Sequence, residues 1–150
     1  MQVFKRWCMV VKIKKRINNK LIEICEEGFP NEVCGVLIGK KDKEIFTIND
    51  YYVCENLNKE RSVDRYELNP IDYIKAENHA KKITSSIIGI YHSHPNHPAI
   101  ASETDKMFAW PDMAYLIYSI YDSKFKNLIS WQIDESKDKF VEINTELIDE

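Results

Sequence analysis

Two hydrophobic periods alternate along the chain. Residues 9–13 are apolar and β-branched apart from Lys12, which predicts a short strand. Residues 14–28 then place Ile17, Leu21, Ile22 and Cys25 at the spacing of one helix face. Gly28 and Pro30 predict where that helix stops. Residues 33–39, Val-Cys-Gly-Val-Leu-Ile-Gly, form a continuous apolar run. The polar turn 40–43 leads into residues 44–53, so the two runs read as a hairpin. Residues 56–64 are polar and turn-like. A second helix is predicted over residues 70–82, with Asn69 as its cap and Pro70 in its first turn. A strand over 86–92 and a short helix over 102–109, stopped by Trp110-Pro111, come next. Strands over 113–121, 127–134 and 139–143 complete the chain, spaced for antiparallel neighbours. With no repeat and no linker, the pattern is one α+β domain around a mixed sheet.

Composition narrows the classes. At 150 residues, with 44% hydrophobic and 30% charged, the chain has enough apolar material for one core without staples. A formal net charge of −3 is small and of the wrong sign for a general nucleic-acid binder. No apolar run approaches the roughly 18 residues of a membrane helix, and lysines and arginines break up residues 1–16. Cys8, Cys25, Cys34 and Cys54 include no C-x-x-C pair. A cytoplasmic protein with reduced thiols is the expectation.

Three of the four histidines, His92, His94 and His97, fall within six positions. At a strand end, residues i and i+2 point to the same side, so His92 and His94 present two imidazoles together, as one metal ion requires. A bare H-x-H serves equally as a hydrogen-bonded surface pair. Seven residues separate His94 from Ser102, and Asp105 lies three positions beyond Ser102. Ser-x-x-Asp resembles a capping box at a helix start. The readings are compatible, because a capped first turn is a rigid platform from which Asp105 completes a His-His-Asp set of the three-ligand kind found in catalytic zinc sites.

On these residues the chain resembles the JAMM, or MPN-plus, metalloproteases, whose signature is a distant Glu followed by H-x-H-x7-S-x-x-D. His92, His94, Pro95, Ser102 and Asp105 match the second half. The family's upstream element, roughly P-x-E-x-C-G-x-L-x-G, is matched by Pro30, Glu32, Cys34, Gly35, Leu37 and Gly39. Residues 64–70, Asp-Arg-Tyr-Glu-Leu-Asn-Pro, look like the middle segment of small prokaryotic, stand-alone members. The resemblance implies a single MPN domain over residues 9–150, a twisted mixed sheet packed with helices and layered as in cytidine deaminases. Residues 1–8 precede it as an extension. It further implies one Zn²⁺ on His92, His94 and Asp105, with Glu32 as general base and Ser102 steadying the developing oxyanion. Bottom-up reading does not single out Glu32 among the acids.

The implied activity is hydrolysis of the peptide or isopeptide bond after the Gly-Gly tail of a ubiquitin-like sulfur-carrier or modifier protein. Two other readings compete: a non-catalytic scaffold of the same fold, and a RadC-like, nucleic-acid-associated relative. The intact Glu32, His92, His94, Ser102 and Asp105 set opposes the scaffold. Ser93 between the histidines, Asn96-His97 after the proline and the negative charge oppose RadC. The H-x-E and P-C-x-x-C elements of a deaminase are absent. His97 reads as a solvated loop residue, His79 as structural, Cys34 as an inert buried thiol, Trp110, Tyr115 and Tyr118 as core, and residues 12–16 as a solvated basic face.

Overall fold

A computed structural model describes residues 9–136 and 138–149. Strand β1 (Val10–Lys14) runs directly into helix α1 (Lys15–Gly28), followed by β2 (Cys34–Asp42) and β3 (Ile45–Cys54). Helix α2 (Pro70–Lys82), β4 (Ser86–Pro95), the short helix α3 (Glu103–Met107), β5 (Ala114–Tyr121), β6 (Lys124–Ile133) and β7 (Phe140–Ile148) complete the order. The N-terminal extension expected at 1–8 lies outside the described residues. No helix among the described residues is long and apolar enough to cross a membrane.

The strands order as β1-β3-β2-β4-β5-β6-β7, and β7 pairs back to β1 so that the sheet closes on itself. β1 is parallel to both β3 and β7, and β4 is parallel to β5; the other neighbours are antiparallel. The domain is therefore α+β with a mixed sheet, as the pattern predicts. The C-terminal strands pair antiparallel as their spacing implies, although β6 and β7 extend beyond the predicted ranges.

Burial on both faces explains the continuous apolar run in β2. Leu37 joins a core built on Ile17, Leu21 and Cys25 of α1, with Phe46, Ile48, Tyr91 and Tyr118. Val36 and Ile38 point the other way, to Ala76 and Ala80 of α2 with Ile90 and Tyr115. Small alanines let α2 lie close to the sheet. Asn69 caps α2 by accepting from the Ile71 N–H at 2.9 Å, with Pro70 at its first position and Lys81 and Lys82 in the last turn.

Two glycines are required by packing. Helix α1 ends at Gly28, just ahead of Pro30, as the sequence predicts, and Gly28 has no positive φ. A Cβ there would come within 2.1 Å of Val33 Cγ1. Phe29, the residue that follows the helix, precedes Pro30 and is held extended at ψ 137, which keeps the helix from continuing past Gly28. Gly35 pairs with Tyr91 across β2 and β4, and a Cβ on it would lie 2.4 Å from the Tyr52 carbonyl and 2.5 Å from the Tyr91 ring.

One irregularity decides where the histidines go. Leu37 pairs with Gly89 but Ile38 pairs with Ile87, so Ile88 is an extra residue on β4. Ile88 and Tyr91 both belong to the α1 core, three residues apart, while Ile90 belongs to the α2 core. Strict alternation from Ile88 would send His92 and His94 toward α1. The bulge moves them to the α2 face instead.

Candidate metal centre

Glu32 and the two histidines meet because β2 and β4 stay in register past the end of β2. Cys34 pairs with His92. One step on, the Ser93 N–H donates to the Val33 carbonyl at 3.0 Å, and the Val33 N–H donates to Ser93 Oγ at 2.9 Å. Glu32 therefore falls opposite His94, on the same face. Ser93, which the sequence reading treats as a spacer, is the residue that carries this pairing across the loop.

Asp105 arrives from the other side. Ser102 is the N-cap of α3: its Oγ accepts from the Asp105 N–H at 3.0 Å, while Asp105 Oδ2 accepts from the Ser102 N–H at 2.9 Å. The capping box and the ligand platform are thus one structure. Helix α3 is shorter than the predicted 102–109, ending at Met107. Trp110 consequently lies in the connection that follows and is 47% exposed, so its expected place in the core is corrected; Tyr115 and Tyr118 are buried as expected.

The three donor groups converge. His92 Nε2 and His94 Nε2 are 3.2 Å apart, and each is 3.3 Å from an oxygen of Asp105. Tetrahedral zinc with bonds of roughly 2.0–2.2 Å sets its ligand atoms ~3.3 Å apart, so the spacing fits that ion. The lone pairs fit as well. The Pro98 carbonyl can only accept, so the 2.8 Å contact to His94 Nδ1 puts the proton there and leaves Nε2 free to ligate.

In the metal-free fold the three buried groups perturb one another. Burial pushes the His92 pKa down to about 4 against the pull of Asp105, keeping the ring neutral. Burial would raise the Asp105 carboxyl, but the His94 and His92 rings in their protonated forms and a hydrogen bond from the Ser102 N–H hold it well below the usual range. For His94 burial acts downward, and the contacts to Asp105 and Pro98 outweigh it, so the net shift is upward.

Glu32 is only 6% exposed, and its Oε1 is buried with no hydrogen-bond partner. Burial raises its pKa from 4.5 to about 8, with Asp105 and Asp64 adding to the shift and His94 and Arg65 opposing it. Cys34 is fully buried and its thiol is pushed up by burial, as an inert thiol should be. His97 is exposed and outside the ligand cluster, which among the described residues comprises His92, His94 and Asp105. His79 pairs with Asp50 at 2.8 Å on α2.

Beside the centre runs a groove of about 850 Å³, lined by Arg65, Tyr66, Leu68, Asp105, Phe108 and Trp110 among others. Its rim is apolar, with Met107 and Phe108 each 70% exposed. Two residues here escaped sequence reading. Tyr66 stacks on His92 with ring centroids 4.5 Å apart, and Asn56 hydrogen-bonds the Glu32 carbonyl at 3.1 Å. Neither carries a spacing signal, since both lie in the irregular connection between β3 and α2.

Comparison with known proteins agrees with this arrangement. The family described as prokaryotic homologs of the JAB domain matches residues 14–134. Desampylase of Haloferax volcanii is 36% identical over 91 residues, which are 60% of this chain and 63% of that protein, so the chain spans less than two thirds of that relative. The CysO-cysteine peptidase of Mycobacterium tuberculosis is 28% identical over 125 residues, 83% of each chain. A solution structure of a Desulfitobacterium hafniense protein superposes with a TM-score of 0.81 at 27% identity, covering 93% of this chain and 94% of the other. Motif, fold and the match over residues 14–134 lead to one conclusion: the chain belongs to the prokaryotic JAB-domain family.

Proposed function

We propose that this protein is a zinc-dependent hydrolase that cleaves the peptide or isopeptide bond after the C-terminal Gly-Gly of a ubiquitin-like modifier or sulfur-carrier protein. The observation that carries the reading is a buried carboxyl, Glu32, with its Oε1 unpartnered, on the face that holds the His92, His94 and Asp105 cluster. A carboxyl buried without a partner costs stability, and a scaffold has no use for one. Similarity to proteins named desampylase and CysO-cysteine peptidase supports both the hydrolytic activity and the substrate class.

His92, His94 and Asp105 would hold one Zn²⁺. When bound, the ion supplies Lewis acidity, polarising a carbonyl and acidifying water toward a pKa of ~7. Glu32 takes a proton from the attacking water and returns it to the leaving amine. Burial raises its pKa in the metal-free fold, and the positive charge of a bound ion would bring it back down, so that the carboxylate can accept the proton and then release it. Ser102 Oγ already accepts from the Asp105 N–H, so its own O–H is available to donate to the developing oxyanion. The groove beside the centre takes the tail. A Gly-Gly segment offers no side chains to grip, so main-chain hydrogen bonds to an extended segment hold it.

The test compares metal content with turnover. Diglycine-tailed carrier proteins fused to a reporter are incubated with the enzyme and the cleavage position is read by mass spectrometry. Glu32→Gln is expected to keep its zinc and lose about 10²–10⁴ in rate. Asp105→Asn is expected to lose the metal itself, because a neutral amide is a poorer ligand. Absence of zinc uptake by the parent protein removes the enzyme reading. Loss of zinc in Glu32→Gln, or turnover near the parent rate, removes the role given to Glu32.

A further inference from the structure

The two ligand imidazoles are held by different devices. His94 is fixed through its Nδ1–H on the Pro98 carbonyl, and the loop bearing that carbonyl is itself pinned. Ser119 Oγ donates to the His97 carbonyl at 2.6 Å, and Trp131 Nε1 donates to the Ala99 carbonyl at 2.9 Å. Three consecutive carbonyls are thus each anchored by a side chain from β4, β5 or β6.

His92 has no such bond. Its Nδ1 is buried without a hydrogen-bond partner. Its ring lies instead against Tyr66, with centroids 4.5 Å apart and planes at 26°. Tyr66 belongs to no helix or strand, so something else must hold it in place. Asn56 does this. Its Nδ2 donates to the carbonyl of Arg65 at 3.0 Å and to that of Glu32 at 3.1 Å. Its Oδ1 accepts from the N–H groups of Asn58 and Glu67, each at 3.0 Å. One amide therefore uses its two donors and two acceptor sites, grips the chain on either side of Tyr66, and ties it to the backbone of Glu32.

We propose that Tyr66, clamped by Asn56, is a positioning residue that fixes the His92 ring for metal binding and keeps it in register with Glu32. The inference rests on the zinc reading above. A ring face does for His92 what a carbonyl does for His94: it removes rotational freedom from a ligand before the metal arrives. The same Tyr66 ring is part of the groove wall, so the clamp also joins the tail site to the metal site.

Zinc affinity by chelator competition and the visible spectrum of the cobalt-loaded protein test this on the full chain, with folding followed by circular dichroism. Tyr66→Met, which keeps bulk but removes the ring, is expected to weaken zinc binding by about 10–100-fold and to change the cobalt bands. Tyr66→Phe keeps the ring and stays close to the parent in both. Asn56→Asp retains the acceptors, loses the two donors and shifts in the direction of Tyr66→Met. Parent-like affinity and spectrum in Tyr66→Met overturn the proposal, as does a Tyr66→Phe variant as weak as Tyr66→Met. Should Tyr66→Met fail to fold, unchanged zinc affinity in Asn56→Asp overturns the clamp. Failure of the parent to bind zinc sinks this inference together with the proposed function, whereas tight binding by parent and variants alike sinks the inference alone.

Discussion

Replacing Glu32 with Gln should remove the part of the pH dependence that the metal-free fold carries because of this one carboxyl. Its pKa rises from 4.5 to about 8 on folding. Between those values the folded state binds more protons than the unfolded state, so stability falls as pH rises through the window. A shift of that size sets a ceiling of about 5 kcal/mol at alkaline pH. The low-pH half of the window is shared with His92, whose pKa falls from 6.5 to about 4 and whose contribution has the opposite sign. The clean interval is therefore pH 6.5 to 8, where Glu32 alone should remove about 2 kcal/mol. For a domain of this size that corresponds to a drop of about 4–8 °C in melting temperature. His94, with its raised pKa, also loses stability as pH rises, and because the Glu32 charge contributes to that shift the loss is smaller in the variant, which widens the difference in the same direction.

The assay is thermal unfolding of chelator-treated parent and Glu32→Gln at half-unit steps of pH. The variant should be the more stable protein at pH 8, and the gap should narrow toward pH 6.5. Added zinc should flatten the parent's slope, since positive charge beside the carboxyl lowers its pKa. Parallel curves for the two metal-free proteins from pH 6.5 to 8 would refute the argument that burial has raised this group.

Further outcomes follow from backbone and packing. Thr84, a β-branched residue at φ 56 just past the end of α2, sits where glycine is favoured, so Thr84→Gly should raise stability by about 1 kcal/mol in urea unfolding. Gly35→Ala should lower it by about 2 kcal/mol or more, because a Cβ meets the Tyr52 carbonyl backbone at 2.4 Å; zinc affinity should fall with it, since the same Cβ lies 2.5 Å from Tyr91, the neighbour of His92 on β4. Ser102→Ala removes the cap of α3 and should cost about 1 kcal/mol while lowering turnover less than Glu32→Gln does.

Much of this protein is determined locally and is therefore visible in the sequence. Helix α2 appears where Asn69 and Pro70 announce it, the β2–β3 hairpin where two apolar runs flank a polar turn, and His92, His94 and Asp105 as a candidate ligand set because i, i+2 spacing and a capped first turn are short-range geometry. Glu32 stood out only through the family pattern, since nothing within a few residues distinguishes it from other acids. Tertiary structure decided the rest. The extra residue at Ile88 sends the histidines to the α2 face, and a single-residue offset in a pairing of distant segments leaves no mark on either segment alone. Ser93 brings Glu32 opposite His94 across 60 residues of chain, and Asn56 clasps Tyr66 onto His92 from an irregular connection. Side-chain hydrogen bonds and ring contacts of this kind have no period to betray them, because their partners are set by where the folded chain passes and not by spacing along it.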